Sequence, residues 1–115
     1  MKRAYVSLMC GGDAYEPGVE TLGRSLRATG SNVPLVLLVT PDVSSAARAR
    51  LATAAGWDPR LIEPIANPSG DGELLYARFR NTYTKLRAFG LEDIEKVVFL
   101  DADTLVLQNI DELFE

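Results

Sequence analysis

The chain of 115 residues contains no histidine, and its only cysteine is Cys10. Without imidazole, Ser-His-Asp and Cys-His nucleophile systems are excluded, as is almost every zinc site built on imidazole. One cysteine excludes an internal disulfide. Basic runs are missing too: apart from the pair Lys2 and Arg3, the 12 Lys and Arg are scattered singly against 16 Asp and Glu, for a formal charge of -4. The chain therefore lacks the electrostatic footprint that grips a nucleic-acid backbone. No segment approaches the roughly 20 apolar residues of a membrane span, and the opening "MKRAYVSLMC" reads as a first strand, without the length and cleavage pattern of a leader. Chemistry is left to carboxylates, Lys, Arg, Tyr, hydroxyls, backbone amides and a hard metal. The expected setting is cytoplasmic, with no nucleic acid or membrane as partner.

What is present suits one globular domain over residues 1–115: 47% of residues are hydrophobic and 24% charged, ordinary proportions for a folded chain. The runs "AYVSLMC" (4–10), "PLVLLVT" (34–40) and "KVVFLD" (96–101) are continuous and apolar, the pattern of parallel strands buried on both faces. A weaker strand is expected at "RLIEPI" (60–65), where Pro64 argues for an edge or a strand end. Helices are expected between them. Pro17 suits a first turn, Val19, Leu22 and Leu26 share a face, and Gly30 suits a stop. Residues 44–56 open on serine caps, carry Ala47, Leu51, Ala54 and Ala55 on one side and end at Gly56. A third helix is expected over about 77–89 after a loop at 66–74, and "NIDELF" reads as a short helical turn capped by Asn109 or Asp111.

Strands alternating with helices imply an α/β fold: a Rossmann-like open parallel sheet with helices on both faces and right-handed crossovers. In the strand order 3-2-1-4, usual for such a sheet, the first strand and the "VVFLD" strand are neighbours at a topological switch point, where ligands collect at the carboxyl ends. Both "MCGGDAY" and "DADTL" fall there.

In "KVVFLDADTLVL" (96–107) an apolar strand ends on two aspartates one residue apart. On extended chain Asp101 and Asp103 would point to the same side. Their mutual repulsion calls for a cation or a shared proton, and a hard divalent ion completed by substrate phosphates would satisfy both. Spacing alone is weak, because eight Asp in 115 residues produce about 0.6 D-x-D matches by chance. A chance match, however, falls mostly in polar loops, and this one ends an apolar strand.

"VVFLDADTLVLQNIDELF", "TYTKLRAFGL" and "AYVSL…DAY…G…TLGRSL" together resemble glycosyltransferase family 8, especially its glycogenin-type members, in the family's order and over nearly all of the chain. The resemblance implies the N-terminal half of a GT-A fold, a UDP-sugar donor, Mn(II) or Mg(II) on the D-x-D, and transfer with retention of anomeric configuration. By position, Asp101 and Asp103 match the metal-binding aspartates, and Ala102 lies where the backbone meets the ribose. Leu8 and Tyr15 match residues that hold the uridine, Tyr15 by stacking. Cys10 and Gly11 fall in "MCGG", one residue longer than the family's polar run, beside the nucleotide. Lys85 matches a donor-contacting lysine, and Arg78 or Arg80 the arginine on the diphosphate.

Plainer alternatives stand beside these roles: Lys85 and the arginines as solvated helix charges, Tyr15 as core packing, Cys10 as a small strand-end hydrophobe. Family members continue beyond the D-x-D into a segment with a histidine metal ligand and the acceptor site, so the chain is expected to bind donor and to catalyse little unaided. Two further readings remain. "VVFLDADTLV" also resembles the first motif of haloacid-dehalogenase-like phosphatases, with the first Asp as nucleophile. A non-catalytic half-fold would instead self-associate, as a homodimer through the open edge of its last strand.

Overall fold

A computed structural model describes residues 2–63, 88 and 90–115. The strands are β1 (Arg3–Met9), β2 (Leu35–Val39), β3 (Trp57–Leu61) and β4 (Lys96–Phe99). They form one parallel sheet in the order β3-β2-β1-β4, as expected. β1 beyond Arg3 and the whole of β2 are buried and almost entirely apolar because both of their faces are covered, and successive side chains go to opposite faces. Tyr5 and Met9 of β1 join Leu35, Leu37 and Val39 of β2 in one cluster. Ala4, Val6, Leu8 and Cys10 join Val36 and Leu38 in another.

Helices α1 (Glu16–Ala28) and α2 (Ser45–Ala55) cover the first face. Val19, Leu22 and Leu26 of α1 and Ala47, Leu51 and Ala55 of α2 all enter that cluster. The second face meets Ala88, with Ile62, Leu91 and Ile94 packed against it. The helix expected over 77–89 and the loop at 66–74 lie outside the described residues, apart from Ala88.

Local signals explain the helix ends. Pro17 occupies the first turn of α1, and Gly30, at φ 88°, follows its last turn and donates its N–H to Arg27 O. Ser44 caps α2, its Oγ accepting from the Ala47 N–H at 3.0 Å, and Gly56 ends the helix in the left-handed region.

Two expectations need correction. The edge strand is Trp57–Leu61 rather than 60–65. Asp58 and Pro59 argue locally against a strand there, but pairing along β2 and the burial of Trp57 override them; as an edge strand it tolerates the missing N–H of Pro59. In "NIDELF" a 3₁₀ helix spans Asp111–Phe114 behind Ile110, with no side-chain cap. Asn109 Oδ1 instead accepts from the Asp111 N–H at 2.9 Å, and the Asp111 carboxylate is engaged elsewhere.

One buried polar group is unsatisfied. Ser7, on β1, is 0% exposed and its Oγ has no hydrogen-bond partner among the described residues. A desolvated hydroxyl without a partner costs about 1–3 kcal/mol, partly offset by its packing. Ser7→Ala is therefore expected to raise stability by about 0.5–1.5 kcal/mol, seen as a higher urea midpoint at unchanged slope; an unchanged or lower midpoint contradicts this.

Candidate functional site

Those predicted site residues that lie among the described residues fall at the carboxyl ends of β1 and β4. The ladder between these strands ends at Val6 with Phe99, and the Leu100 N–H donates to Val6 O at 2.9 Å. Two residues further along the two chains lie Leu8 and Asp101. From Leu8 onward, β1 thus runs beside a turn rather than a strand.

That turn revises the account of the aspartates. β4 stops at Phe99, and Asp101 to Thr104 close a turn in which Asp101 O accepts from both the Thr104 N–H (3.1 Å) and Thr104 Oγ1 (2.6 Å). The carboxylates are therefore presented by a turn and not by the pleat of a strand. Asp101 and Asp103 are both exposed, whereas Ala102 between them is half-buried and packs against the first cluster. The apolar middle residue anchors the turn, with an exposed acid on either side of it.

Across from the turn, β1 passes into Gly11 and Gly12, at φ 79° and 94°, a region L side chains avoid. Open space surrounds the position a Cβ would take at either glycine. Leu8 and Cys10 are both 7% exposed and buried in the second cluster, so the small-hydrophobe account fits the Cys10 side chain. Tyr15, at the start of α1, is 54% exposed, which rules out core packing for its ring. Arg78 and Lys85 lie outside the described residues.

The loop from Gly11 to Glu16 is held by contacts that sequence patterns did not reveal. Asp13 accepts from the Ser44 N–H at 2.8 Å, tying the loop to the residue that caps α2. Interaction with the Ser44 side chain first, and then this backbone bond, hold the Asp13 carboxyl below its ordinary pKa. Glu16 forms a two-point pair with Arg50 of α2, at 2.7 and 2.8 Å, which lowers the Glu16 pKa. These partners are 31 and 34 residues apart in sequence, and no local spacing rule links them. A further contact, of Gly18 with Ala102 O, has only one signal in the sequence: a glycine inside a helix.

An open cavity of about 600 Å³ lies at the opposite, amino end of the sheet, beside Arg3, Pro34, Arg60 and Asp93. Arg60 is held there by two hydrogen bonds to Asp93, at 2.8 and 2.9 Å. The switch-point end carries the exposed acids and the glycine loop, so it is the stronger candidate.

No family model matches the chain. Similar proteins of Arabidopsis thaliana include inositol phosphorylceramide glucuronosyltransferase 1, 44% identical over 114 residues, covering 99% of this chain and 20% of that protein. Galactinol synthase 4 is 38% identical and covers 99% of this chain and 34% of itself. UDP-glucuronate:xylan alpha-glucuronosyltransferase 1 is 37% identical, with 98% and 16% covered. The chain thus spans about a fifth to a third of the length of the first curated relatives it matches. Among solved structures, the glycosyltransferase GlyE of Streptococcus pneumoniae TIGR4 superposes with a TM-score of 0.61 at 24% identity, over 100% of this chain and 27% of that one. The galactosyltransferase LgtC, in complex with donor and acceptor sugar analogues, gives 0.61 at 20% identity, over 95% and 41%. Both likenesses establish the fold.

Proposed function

This chain belongs with the family 8 glycosyltransferases along its whole length, and on that premise we propose that it is the donor-binding part of a retaining, UDP-sugar-dependent glycosyltransferase. The observation that carries this reading is the pair of exposed carboxylates in a core-anchored turn at the carboxyl end of β4, beside the glycine loop of β1. One relative is named for UDP-glucuronate, which supports a UDP-linked donor. That the relatives above act in glycosyl transfer or galactinol synthesis by name favours this reading over the phosphatase one.

The residues present fit a hard divalent ion. Asp101 and Asp103 offer carboxylate oxygens, the donor type that Mn(II) and Mg(II) prefer. Among the described residues no group of three or more His, Cys, Asp and Glu surrounds a common point. Two carboxylates suit an ion whose remaining positions would be filled by diphosphate and water. When bound, such an ion offsets the negative charge that grows on the diphosphate as the sugar departs.

The chain's own residues do the rest. Asp101 and Asp103 hold the metal-diphosphate end, and the backbone at Ala102 faces the ribose. Leu8 and Tyr15 frame the base, Tyr15 with an exposed ring free to stack. Gly11, with the main chain of Cys10, lets the nucleotide approach closely where a side chain would intrude. By the family resemblance, Lys85 and Arg78 or Arg80, which lie outside the described residues, would bring positive charge to the diphosphate of an otherwise acidic chain.

Calorimetry of UDP with and without Mn(II) tests this. Mn(II)-dependent binding is expected, weakened at least about tenfold, or about 1.4 kcal/mol, in Asp103→Ala. Asp103 is exposed, so this substitution should leave stability within about 0.5 kcal/mol. Binding that ignores the metal, or no binding, overturns the proposal.

A further inference from the structure

The segment that follows the aspartates is fastened along α1 at three stations. The Ala102 carbonyl oxygen lies so close to Gly18 that a Cβ there would sit 2.9 Å from it. Ser25 Oγ accepts from the Val106 N–H at 3.1 Å, and Asn109 Nδ2 donates to Thr29 O at 3.4 Å. Gly18, Ser25 and Thr29 lie along one stripe of α1 and its cap, at spacings of seven and four residues, which bring helical positions into line. The strap keeps its register through its side chains. Ala102, Val106 and Ile110 pack on the core, while Leu105 and Leu107 are 55% and 86% exposed.

The tightest station is also the one beneath the acids. We propose that Gly18 is a positioning residue: the absence of a side chain lets the Ala102 carbonyl rest on the first turns of α1, and this sets where Asp101 and Asp103 are held. The geometric part stands on the contact itself, and its consequence for binding rests on the donor-binding reading above. Gly18 is not among the glycines with positive φ, so close approach, rather than backbone freedom, accounts for the residue. Ordinary contact begins near 3.4 Å. A methyl at Gly18 would meet a backbone oxygen, which unlike a flexible side chain cannot swing aside, and the turn must move. Alanine also favours the helix, so the damage should appear in the turn and not in overall stability.

The test compares wild type, Gly18→Ala and the control Gly90→Ala, whose added Cβ meets nothing within 4 Å. Two readouts are used: amide resonances by NMR, and UDP affinity with and without Mn(II). Gly18→Ala is expected to shift the resonances of Asp101 to Thr104. It should weaken the Mn(II)-dependent affinity by on the order of tenfold, as small misplacements of binding groups do. Metal-free affinity for UDP and the melting temperature should hold, and Gly90→Ala should change none of these. Ser25→Ala loosens the same strap without adding volume and should move the resonances of Thr104 and Val106; it decides the matter if Gly18→Ala fails to fold. Unmoved resonances in the turn overturn the proposal. Shifted resonances in a protein whose wild type shows no Mn(II)-dependent binding would sink the donor reading and leave the positioning role standing.

Discussion

Trp57→Ala is expected to remove about 3–5 kcal/mol of stability, a large part of the roughly 5–15 kcal/mol available to a domain. Trp57 is 2% exposed and begins β3, the edge strand. It packs in the cluster shared by α1, α2 and the sheet, and its indole N–H donates to Val19 O at 2.9 Å. Its removal leaves a cavity where three elements meet. Gly23 of α1 is shaped to this ring: a Cβ there would lie 2.5 Å from Trp57 Nε1 and 2.9 Å from Ala55 Cβ. Gly23→Ala should thus be destabilising despite its helix propensity, and its cost should shrink in a Trp57→Phe background. Urea unfolding followed by circular dichroism on the four proteins of that cycle measures the coupling. Additive costs, or a Trp57→Ala loss below about 1 kcal/mol, would show that the ring does not join the layers.

The second large effect ties the two ends of the chain. Tyr5 is 0% exposed, and its phenol donates to Asp111 Oδ1 at 2.5 Å across 106 residues of sequence. Ser31 Oγ donates to the same oxygen at 2.8 Å. Asp111→Ala strands both donors and is expected to cost about 2–4 kcal/mol at neutral pH, since hydrogen bonds to a charged group are each worth about 1.5–3 kcal/mol. The pH profile carries the signature. The hydrogen bond from Tyr5, with those from Ser31 and Asn109, holds the Asp111 carboxyl below its ordinary value of 3.8. Its contribution is therefore full above that value and lost as pH falls through the depressed one. Burial first, and then the bond to Asp111, push the Tyr5 phenol far above its ordinary value of 10.0. This contribution is full below pH 10.0 and is lost as pH rises towards the raised value. Wild type should lose stability at both extremes, and Asp111→Ala should flatten the acid limb and weaken the alkaline one. Urea midpoints at several pH values from about 2.5 to about 11 would read this out; a wild-type advantage that is the same at every pH excludes the charged hydrogen bond as its source.

Much of the fold is determined by local pattern. Continuous apolar runs identify β1, β2 and β4 because both faces of a parallel sheet are buried, and the ends of α1 and α2 follow from Pro17, Gly30, Ser44 and Gly56, which act within a turn of themselves. The sheet order follows too, since right-handed crossovers leave few arrangements. The same short-range logic marks Asp101 and Asp103 as an anomaly at a strand end, whereas the role expected of Tyr15 comes from the family resemblance. What it could not supply were partners chosen in space. The seat of Ala102 on Gly18, the loop anchors Asp13 to Ser44 and Glu16 to Arg50, and the Tyr5 to Asp111 bond all join residues distant in sequence. β3 was misplaced for the same reason, because Asp58 and Pro59 obey the neighbouring strand rather than their own propensities. Side-chain periodicity records which face of an element is buried, and only tertiary packing decides what lies against it.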